Sequence, residues 1–289
     1  MEAQKYANQA MVVTLNISRW TATKTDKRVT DDAVTQNGAE SGAGRFTKRL
    51  ISKNDEDLKA INQAASQLRQ FHREMTMPWD GNGRDLLPAK AFLKYKSRMT
   101  NLEADFNSAV TGFLNNYREK VNRASVLLGH MFNSEDYPNE SDLRGCYSIE
   151  LKVEPVPLGV NLKVGISEQY LEEERAKIEE DVMARVRKAH QTLYRRLQNV
   201  AERTLSALTR EGGQFKSTYI KNVKETADIL EMLDLEGDKK LKDSAERLRE
   251  AVNRHGYHKV KDDEEARKEV VQDIESELER INQAVDEMA

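Results

Sequence analysis

Apolar residues recur every three or four positions over most of this chain, and polar residues fill the positions between them. Such spacing places the apolar side chains on one face of an α-helix. It predicts helices over Asn54–Pro78, Pro88–Leu128 and Ser167–Leu208. The second of these would contain roughly 40 residues and be about 60 Å long at 1.5 Å per residue. Long amphipathic helices are therefore the dominant predicted elements.

Three shorter helices are predicted in the last part of the chain. They cover Gln214–Leu233, Lys239–Arg254 and Glu264–Met288. Short glycine-containing breaks separate them, and breaks of this length are typical of antiparallel neighbouring helices. The C-terminal part is therefore predicted to form helical hairpins.

A second pattern, in which apolar and polar residues alternate, predicts β-strands in two places. One is Met11–Ser18, and the other is residues 146–166, where CYSIELKV and VNLKVGI are joined by EPVPLG. The latter reads as a β-hairpin, and with the first strand it gives an antiparallel sheet of two or three strands at one end of the helices. The predicted fold is mainly α, with long helical hairpins or a coiled-coil-like bundle and this small sheet.

Changes in these patterns divide the chain into three regions. Residues 1–54 hold an N-terminal strand and a basic, glycine-containing loop. Residues 55–210 form a long-helix core that the hairpin at 146–166 interrupts, and residues 211–289 form a C-terminal helical region. Each of the last two regions has enough apolar positions to contribute to a buried core.

Charge and cysteine content narrow the class of protein. Lys and Arg number 46 against 49 Asp and Glu, and the two signs are interleaved along the chain, so generic binding to polyanions is not favoured. The single cysteine, Cys146, cannot form an intramolecular disulfide. No stretch approaches the ~18 consecutive apolar residues of a membrane span, and the N-terminus lacks the features of a signal peptide. We therefore expect a cytoplasmic protein with no membrane partner.

The stretch MPWDGNGRDLLP contains the chain's closest approach to a ligand-binding loop. An EF-hand that begins at its first aspartate would need other residues where Arg84, Asp85 and Ala91 stand, and the glycine spacing does not fit a phosphate-binding loop. The glycines instead predict a tight helix-to-helix turn with positive φ, in which Asp85 caps the next helix. The structural landmarks of this turn are Pro78, Trp79, Gly81, Gly83 and Pro88.

The region between the first strand and the first long helix carries a local excess of positive charge. Eight basic residues face four acidic ones over 19–53, and a flexible basic loop is a candidate contact for nucleic-acid phosphates. The candidate contacts are Arg19, Lys24, Lys27, Arg28, Arg45, Lys48, Arg49 and Lys53.

No spacing in the chain matches a hydrolase, kinase or nuclease signature. His255 and His258 lie close in sequence, but no third ligand of the kind that a zinc site needs lies beside them. The sequence therefore predicts no catalytic residue, no metal ligand and no cofactor. An enzymatic site would require carboxylates or these histidines to converge from separate helices.

An ordered set of motifs resembles a known family. The motifs are GAGRFTKRLIS, TMPWDGNGRDLLP, FLNNYREKV, LGHMF, DYPNESDLRG and EPVP, and the likeness covers roughly residues 11–208. The chain resembles a family of uncharacterised helix-rich proteins from tailed phages and proteobacteria, a domain of unknown function with no established activity or catalytic residues. Some members are encoded near MoxR-type AAA+ ATPases, so the resemblance implies an adaptor or substrate in an ATP-driven system. A phage-encoded member would act in the host bacterial cytoplasm.

These observations favour a non-enzymatic scaffold or adaptor of phage type. Long apolar stripes on charged helices can pack against a second copy of the chain as readily as within one copy, so we expect a homo-oligomer. An AAA+ ATPase is the further partner that the resemblance implies. The alternative is a nucleic-acid-binding protein that uses the basic loop 19–53.

Overall fold

The structure is a computed structural model that describes residues 2–210 and 215–288. Eleven α-helices and six strands lie within these residues. The helices are α1 Glu2–Gln9, α2 Lys27–Gln36, α3 Glu56–Met75, α4 Ala89–Asn115, α5 Tyr117–Leu128, α6 Glu140–Gly145, α7 Glu168–Thr209, α8 Ser217–Leu233, α9 Lys239–Asn253, α10 Gly256–Asp262 and α11 Glu264–Glu287. Gln214, the expected start of the helix observed as α8, lies outside the described residues.

The strands form two antiparallel sheets. The larger has four strands in the order β4-β5-β1-β6, and the smaller pairs β2 with β3. The strands are β1 Ala10–Ser18, β2 Thr23–Thr25, β3 Thr47–Arg49, β4 Met77–Pro78, β5 Arg84–Pro88 and β6 Ser148–Pro155. The prediction of a mainly α chain with a small antiparallel sheet is confirmed, although the larger sheet has four strands where two or three were expected.

The hairpin predicted over residues 146–166 is wrong in its second half. Only β6 is a strand, and the chain after it forms a turn of 3-10 helix at Gly159–Asn161 that packs on α7. Arg175 of α7 donates a hydrogen bond to the carbonyl of Leu162 at 3.2 Å. This carbonyl would otherwise accept a hydrogen bond from the neighbouring strand of the predicted hairpin. Contacts with a distant helix therefore override the local alternation.

The two longest predicted helices have different outcomes. The prediction of a helix over Ser167–Leu208 is confirmed by α7, which has 42 residues. The predicted helix over Pro88–Leu128 is divided at Asn116 into α4 and α5. The Asn116 side chain donates a hydrogen bond to Asp57 at 3.0 Å, so this residue bonds to a neighbouring element where the helix is interrupted.

The chain divides into two compact units, each made of separate segments. Unit 1 comprises Met1–Thr14, His72–Tyr95 and Lys152–Ala289, and unit 2 comprises Leu15–Phe71 and Lys96–Leu151. This division differs from the three consecutive regions expected from the sequence, because α3 and α4 each contribute residues to both units.

A four-helix arrangement forms most of unit 1. Helices α7 and α9 each pack against both α8 and α11, and the α7 side chains Val186, Leu193 and Leu197 are buried in the shared core. These residues are spaced as the sequence stripe predicts for one helix face. The predicted C-terminal helices therefore pack on α7 within one core.

Aromatic side chains dominate part of the core of unit 2. Phe113 of α4 has Trp20, Tyr117 and Tyr147 within 6.4 Å between ring centroids, and Phe106 lies 6.5 Å from Tyr147. Tilted and edge-on ring pairs of this kind add to the stabilisation from burial alone. The basic segment 19–53 belongs to this unit.

Candidate interaction surfaces

The basic segment 19–53 is not the loop that the sequence predicts. Strands β2 and β3 pair antiparallel within it, with Lys24 opposite Lys48, and α2 lies between them. Asp26 caps α2 by accepting a hydrogen bond from the Val29 amide at 3.1 Å. Helix α2 has no buried residue, so it shows no apolar stripe that would reveal it in the sequence.

Lys48 is the centre of a buried ion-pair cluster. Its ammonium lies 3.1 Å from Asp26 Oδ2 and 2.8 Å from Asp136 Oδ2, and it donates a hydrogen bond to the Met131 carbonyl at 2.6 Å. Lys24 reaches the other oxygen of Asp136 at 3.0 Å. The Lys48 side chain is only 6% exposed, so it cannot serve as a contact for nucleic-acid phosphates.

The pKa values within this cluster favour the charged forms. Burial lowers the pKa of Lys48, but hydrogen bonds to Asp136 and Asp26 outweigh burial and raise it overall. Burial likewise acts to raise the pKa of Asp136, and Lys48 and Lys24 bring it below its usual value. The pKa of Asp26 is lowered first by the Val29 amide and then by Lys48. Lys48, Asp26 and Asp136 are therefore all held in their charged forms near neutral pH.

The other basic candidates lie on the surface, in different settings. Arg19 donates a hydrogen bond to Asn62, and Arg28 donates one to the carbonyl of His130 at 3.3 Å. Lys24 is 52% exposed and paired as described. The four that remain, all exposed, are Lys27, Arg45, Arg49 and Lys53.

A polar cleft of about 260 Å³ opens beside the Lys48 cluster in unit 2. Lys27, Arg28, His130 and Asn133 are among the residues that line it. Because Asp26 and Asp136 also line the cleft, its carboxylates offset part of the positive charge. The cleft therefore offers a small anion a mixed set of charges.

The segment MPWDGNGRDLLP, residues 77–88, forms a β-hairpin. The prediction of a helix-to-helix turn in this segment is therefore wrong. Strands β4 and β5 pair with Met77 opposite Leu86 and Pro78 opposite Asp85. Pro78 stands at the edge of the four-stranded sheet, where a residue without an amide hydrogen interrupts no ladder. The prolines and glycines of this segment indicate that the chain reverses direction here. They do not distinguish a turn between two helices from a β-hairpin.

The turn of the hairpin uses its glycines as expected. Gly81 and Gly83 have φ of 78° and 76°, in the region that side chains disfavour. Asp80 accepts a hydrogen bond from the Asn82 amide at 3.0 Å and holds the turn from within. The conformational part of the prediction is therefore confirmed for both glycines.

Trp79 anchors the hairpin in the core of unit 1. Its side chain is 3% exposed, and the Arg185 guanidinium lies 5.5 Å from its ring centroid. Arg185 also lies 3.6 Å from the carboxylate of Asp80. Pro88 is buried at the end of β5, immediately before α4. The hairpin is thus a packing element rather than a ligand loop.

A buried histidine joins this hairpin to the helices beside it. His72 Nδ1 lies 2.7 Å from the Tyr95 hydroxyl, and His72 Nε2 lies 2.9 Å from Asp85 Oδ2. Asp85 therefore bonds to His72. The prediction that Asp85 caps the next helix is wrong. Arg196 of α7 donates to backbone carbonyls at the C-terminal end of α3, where helix carbonyls lack partners. These contacts stabilise the junction.

A second buried histidine fixes the turn between α8 and α9. His190 Nε2 lies 3.0 Å from Asp238 Oδ2, and the Tyr194 hydroxyl donates to the same oxygen at 2.7 Å. Asp238 also caps α9 by accepting from the Leu241 amide. Burial acts to raise the pKa of Asp238, but these hydrogen bonds and the charge of His190 lower it overall. No local sequence pattern reveals this network, because its members are far apart in the chain.

The histidine pair near the C-terminus does not form a metal site in the described part of the chain. His255 Nε2 lies 2.7 Å from Glu269 Oε2, and His258 contacts the ring of Tyr257. No cluster of three or more metal-ligating side chains occurs among residues 2–210 and 215–288. His255 is instead half of an ion pair between α11 and the start of α10 when it is protonated.

Exposed apolar side chains concentrate in one segment of unit 1, which we call the apolar segment. Over Val153–Tyr170 the structure leaves five large apolar side chains between 47% and 63% exposed. They are Val153, Val160, Val164, Ile166 and Tyr170. Apolar exposure gathered in this way is typical of surfaces that bind other proteins.

The apolar segment is held against the N-terminal half of α7. A Cβ added at Gly159 would lie 2.5 Å from the Arg175 carbonyl oxygen, so the two backbones approach as closely as glycine allows. Val156 is buried, and Arg175 binds the carbonyl of Leu162. Residues 156–162 therefore have a defined inner side against α7, and the exposed apolar side chains lie within or beside this stretch.

Comparisons of the chain with protein-family models, curated proteins and solved structures found no match. Within the described residues, no helix has the length and apolar character needed to cross a bilayer.

Proposed function

We propose that the protein is a non-enzymatic helical scaffold or adaptor that associates with itself. The observation that carries the proposal is the apolar segment, whose five exposed side chains follow one another from the end of β6, past the stretch that packs on α7, to the first turn of α7. Removing such side chains from water stabilises association by about 25 cal/mol per Å² of apolar area. A second copy of the chain offers the same surface, and symmetric association of identical surfaces is the commonest arrangement in homo-oligomers.

The polar networks of unit 1 support a structural rather than a chemical role. His72 is 5% exposed and bonded through both ring nitrogens, and His190 is 8% exposed and bonded to a helix-capping aspartate. Nucleophiles and general bases need access to a substrate. These side chains instead fix a hairpin and an interhelical turn.

The self-association is tested by multi-angle light scattering of the full chain over a wide dilution series. We expect the mass to rise above the 33.1 kDa of one chain as concentration increases. The variant Val164→Ser/Ile166→Ser should associate more weakly because it loses apolar contact area. Val126→Ser is the matched control, since Val126 is 86% exposed and lies outside the segment. Equal weakening by both variants would count against a role for the apolar segment.

The resemblance adds an AAA+ ATPase to this proposal as a partner of the adaptor, in a host bacterial cytoplasm. Affinity purification of the tagged full chain from producing cells, followed by mass spectrometry, tests this part. We expect an AAA+ ATPase to be enriched with the wild type over an unrelated tagged helical protein. Purification with no enriched ATPase would remove this partner and leave self-association standing.

Nucleic-acid binding is the second candidate, and exposed cations of the basic segment support it. Lys27 and Arg28 line the polar cleft, while Arg45, Arg49 and Lys53 are exposed nearby in sequence. Fluorescence anisotropy with labelled single- and double-stranded DNA at several salt concentrations tests it, because phosphate contacts make affinity fall steeply with salt. Absence of binding at low salt would eliminate this candidate.

A further inference from the structure

Strand β6 is a long edge strand. It occupies one end of the order β4-β5-β1-β6, and the opposite edge, β4, has only two residues. Within the described residues β6 has β1 as its one strand neighbour, so no strand of the same chain pairs with its outer side. Most of its eight side chains are exposed. An edge of this length can accept a strand from another chain.

The sequence of β6 is complementary to itself when it is reversed. Ile149, Leu151 and Val153 alternate with side chains of opposite charge, Glu150 and Lys152. Lysine and other charges usually protect an edge strand against pairing. Here the acidic and basic positions are two apart and flank a central leucine. A second β6 running antiparallel therefore meets the opposite charge at both positions.

We propose that β6 pairs antiparallel with β6 of a second copy of this chain, with the two Leu151 residues opposite each other on a two-fold axis. In this register Glu150 faces Lys152 twice, and Ile149 faces Val153 twice. The inference rests on the proposed self-association and names the contact that produces it. Two four-stranded sheets would then form one continuous sheet of eight strands across the axis.

Other registers are less favourable. Centring the pair on Glu150 or on Lys152 places identical charges opposite each other, which is destabilising. Centring it on Val153 brings Pro155, which has no amide hydrogen, into the ladder. A shift to an odd register turns the apolar face of one strand toward the charged face of the other. The register centred on Leu151 alone satisfies charge, apolar contact and backbone pairing together.

Two side-chain contacts between β6 and its own sheet are compatible with this pairing. Glu150 accepts a hydrogen bond from Asn16 of β1 at 3.3 Å, which holds its carboxylate along the sheet. Glu154 lies 3.4 Å from Arg84 of β5 and is not needed in the proposed charge pairs. Val153 belongs to both β6 and the apolar segment, so the strand pairing leads directly into the exposed apolar side chains.

Charge exchange tests the register. Lys152→Glu places each substituted carboxylate opposite a native Glu150, and Glu150→Lys places like positive charges opposite each other. Each single variant should weaken association about tenfold or more in light scattering, because two attractive pairs become repulsive. The double variant Glu150→Lys/Lys152→Glu restores opposite charges and should associate as the wild type does. Far-ultraviolet circular dichroism confirms that each variant is folded.

Cysteine trapping gives a second reading of the same register. Opposed residues of antiparallel strands have Cα atoms about 4.5–5.5 Å apart, within the range that a disulfide can bridge. In a Cys146→Ser background, Leu151→Cys should form a covalent dimer under mild oxidation. Val153→Cys is the control, because in this register it faces Ile149 and not its own symmetry mate.

The possible failures are distinguishable. A wild type that remains at the mass of one chain at every concentration contradicts self-association itself. A wild type that associates while both single charge variants associate equally well contradicts only the β6 register. Equal cross-linking of the two cysteine variants would likewise overturn the register and leave self-association intact. Rescue by the double charge variant together with selective cross-linking at position 151 is the result that supports the proposal.

Discussion

Replacing Lys48 with methionine should destabilise unit 2 by about 3 kcal/mol. The substitution retains most of the side-chain volume but removes the ammonium group that Asp26 and Asp136 share. Removing one partner of a buried ion pair typically costs about 3–5 kcal/mol. We take the lower end because Lys24, 3.0 Å from Asp136, still offsets part of the charge. A loss of this size changes the folding equilibrium roughly a hundredfold.

Fluorescence can report this loss from unit 2 alone. The chain has two tryptophans, Trp20 in unit 2 and Trp79 in unit 1. In a Trp79→Phe background, the emission of Trp20 during urea unfolding follows the unit that contains Lys48. Lys27→Met is the matched control, because Lys27 is exposed in the same segment and its loss should change stability by less than about 0.5 kcal/mol.

The pH dependence provides a further check on Lys48. The pKa of Asp136 in the folded protein lies below that of a free aspartate side chain, so this stabilisation is present above the free value and is lost as pH falls through the lowered value. The difference between wild type and Lys48→Met should therefore shrink in strong acid. Equal stability of the two proteins at neutral pH would refute the assignment of Lys48 as a structural cation.

Three further substitutions test the packing of unit 1, each by chemical denaturation. Trp79→Ala should cost about 3–5 kcal/mol because it empties a buried site, while Leu93→Ala, at a position 80% exposed, should change little; equal losses would contradict the anchoring role. Gly159→Ala should cost about 1–3 kcal/mol because its methyl group meets the Arg175 carbonyl, and an unchanged midpoint would show that the segment is not held on α7. Asp238→Ala should lower the free energy of unfolding by about 1–3 kcal/mol, because α9 loses its cap and buried polar groups lose their partner. Unchanged stability would contradict a stabilising role for this network.

The helices were predictable where one face is buried. Helix α7 follows its apolar stripe from end to end because Val186, Leu193 and Leu197 all contact the same core. Helix α2 was not predicted because its side chains are exposed or half-buried and leave no stripe. Hydrophobic periodicity therefore indicates a helix only where one face of that helix is buried.

The strands and the surface sites were harder to predict. Residues 160–166 alternate as a strand would, yet bonds to Arg175 and a close approach at Gly159 hold that part of the chain on a helix. The segment MPWDGNGRDLLP has turn residues suited to either a helix reversal or a hairpin, and the pairing of Met77 with Leu86 decides for the hairpin. Such choices depend on contacts between distant parts of the chain.

Charge in the sequence also gave incomplete information about the candidate sites. Lys48 looked the same as its seven basic neighbours because nothing local shows that Asp136 lies 2.8 Å away. The edge position of β6 likewise depends on its place beside β1 in the sheet. The opposite charges of Glu150 and Lys152 are visible in the sequence, but they can be related to strand pairing only when β6 is known to be an edge strand.

Sedimentation velocity of the full wild-type chain over a wide dilution series tests self-association most directly. Pairing of two copies predicts a reversible shift from the sedimentation coefficient of a 33.1 kDa chain toward that of a particle of twice this mass as concentration rises. The variant Lys152→Glu should show this shift only at higher concentrations than the wild type does. The double variant Glu150→Lys/Lys152→Glu should show it at the same concentrations as the wild type. A single species of one chain's mass at every concentration would contradict self-association.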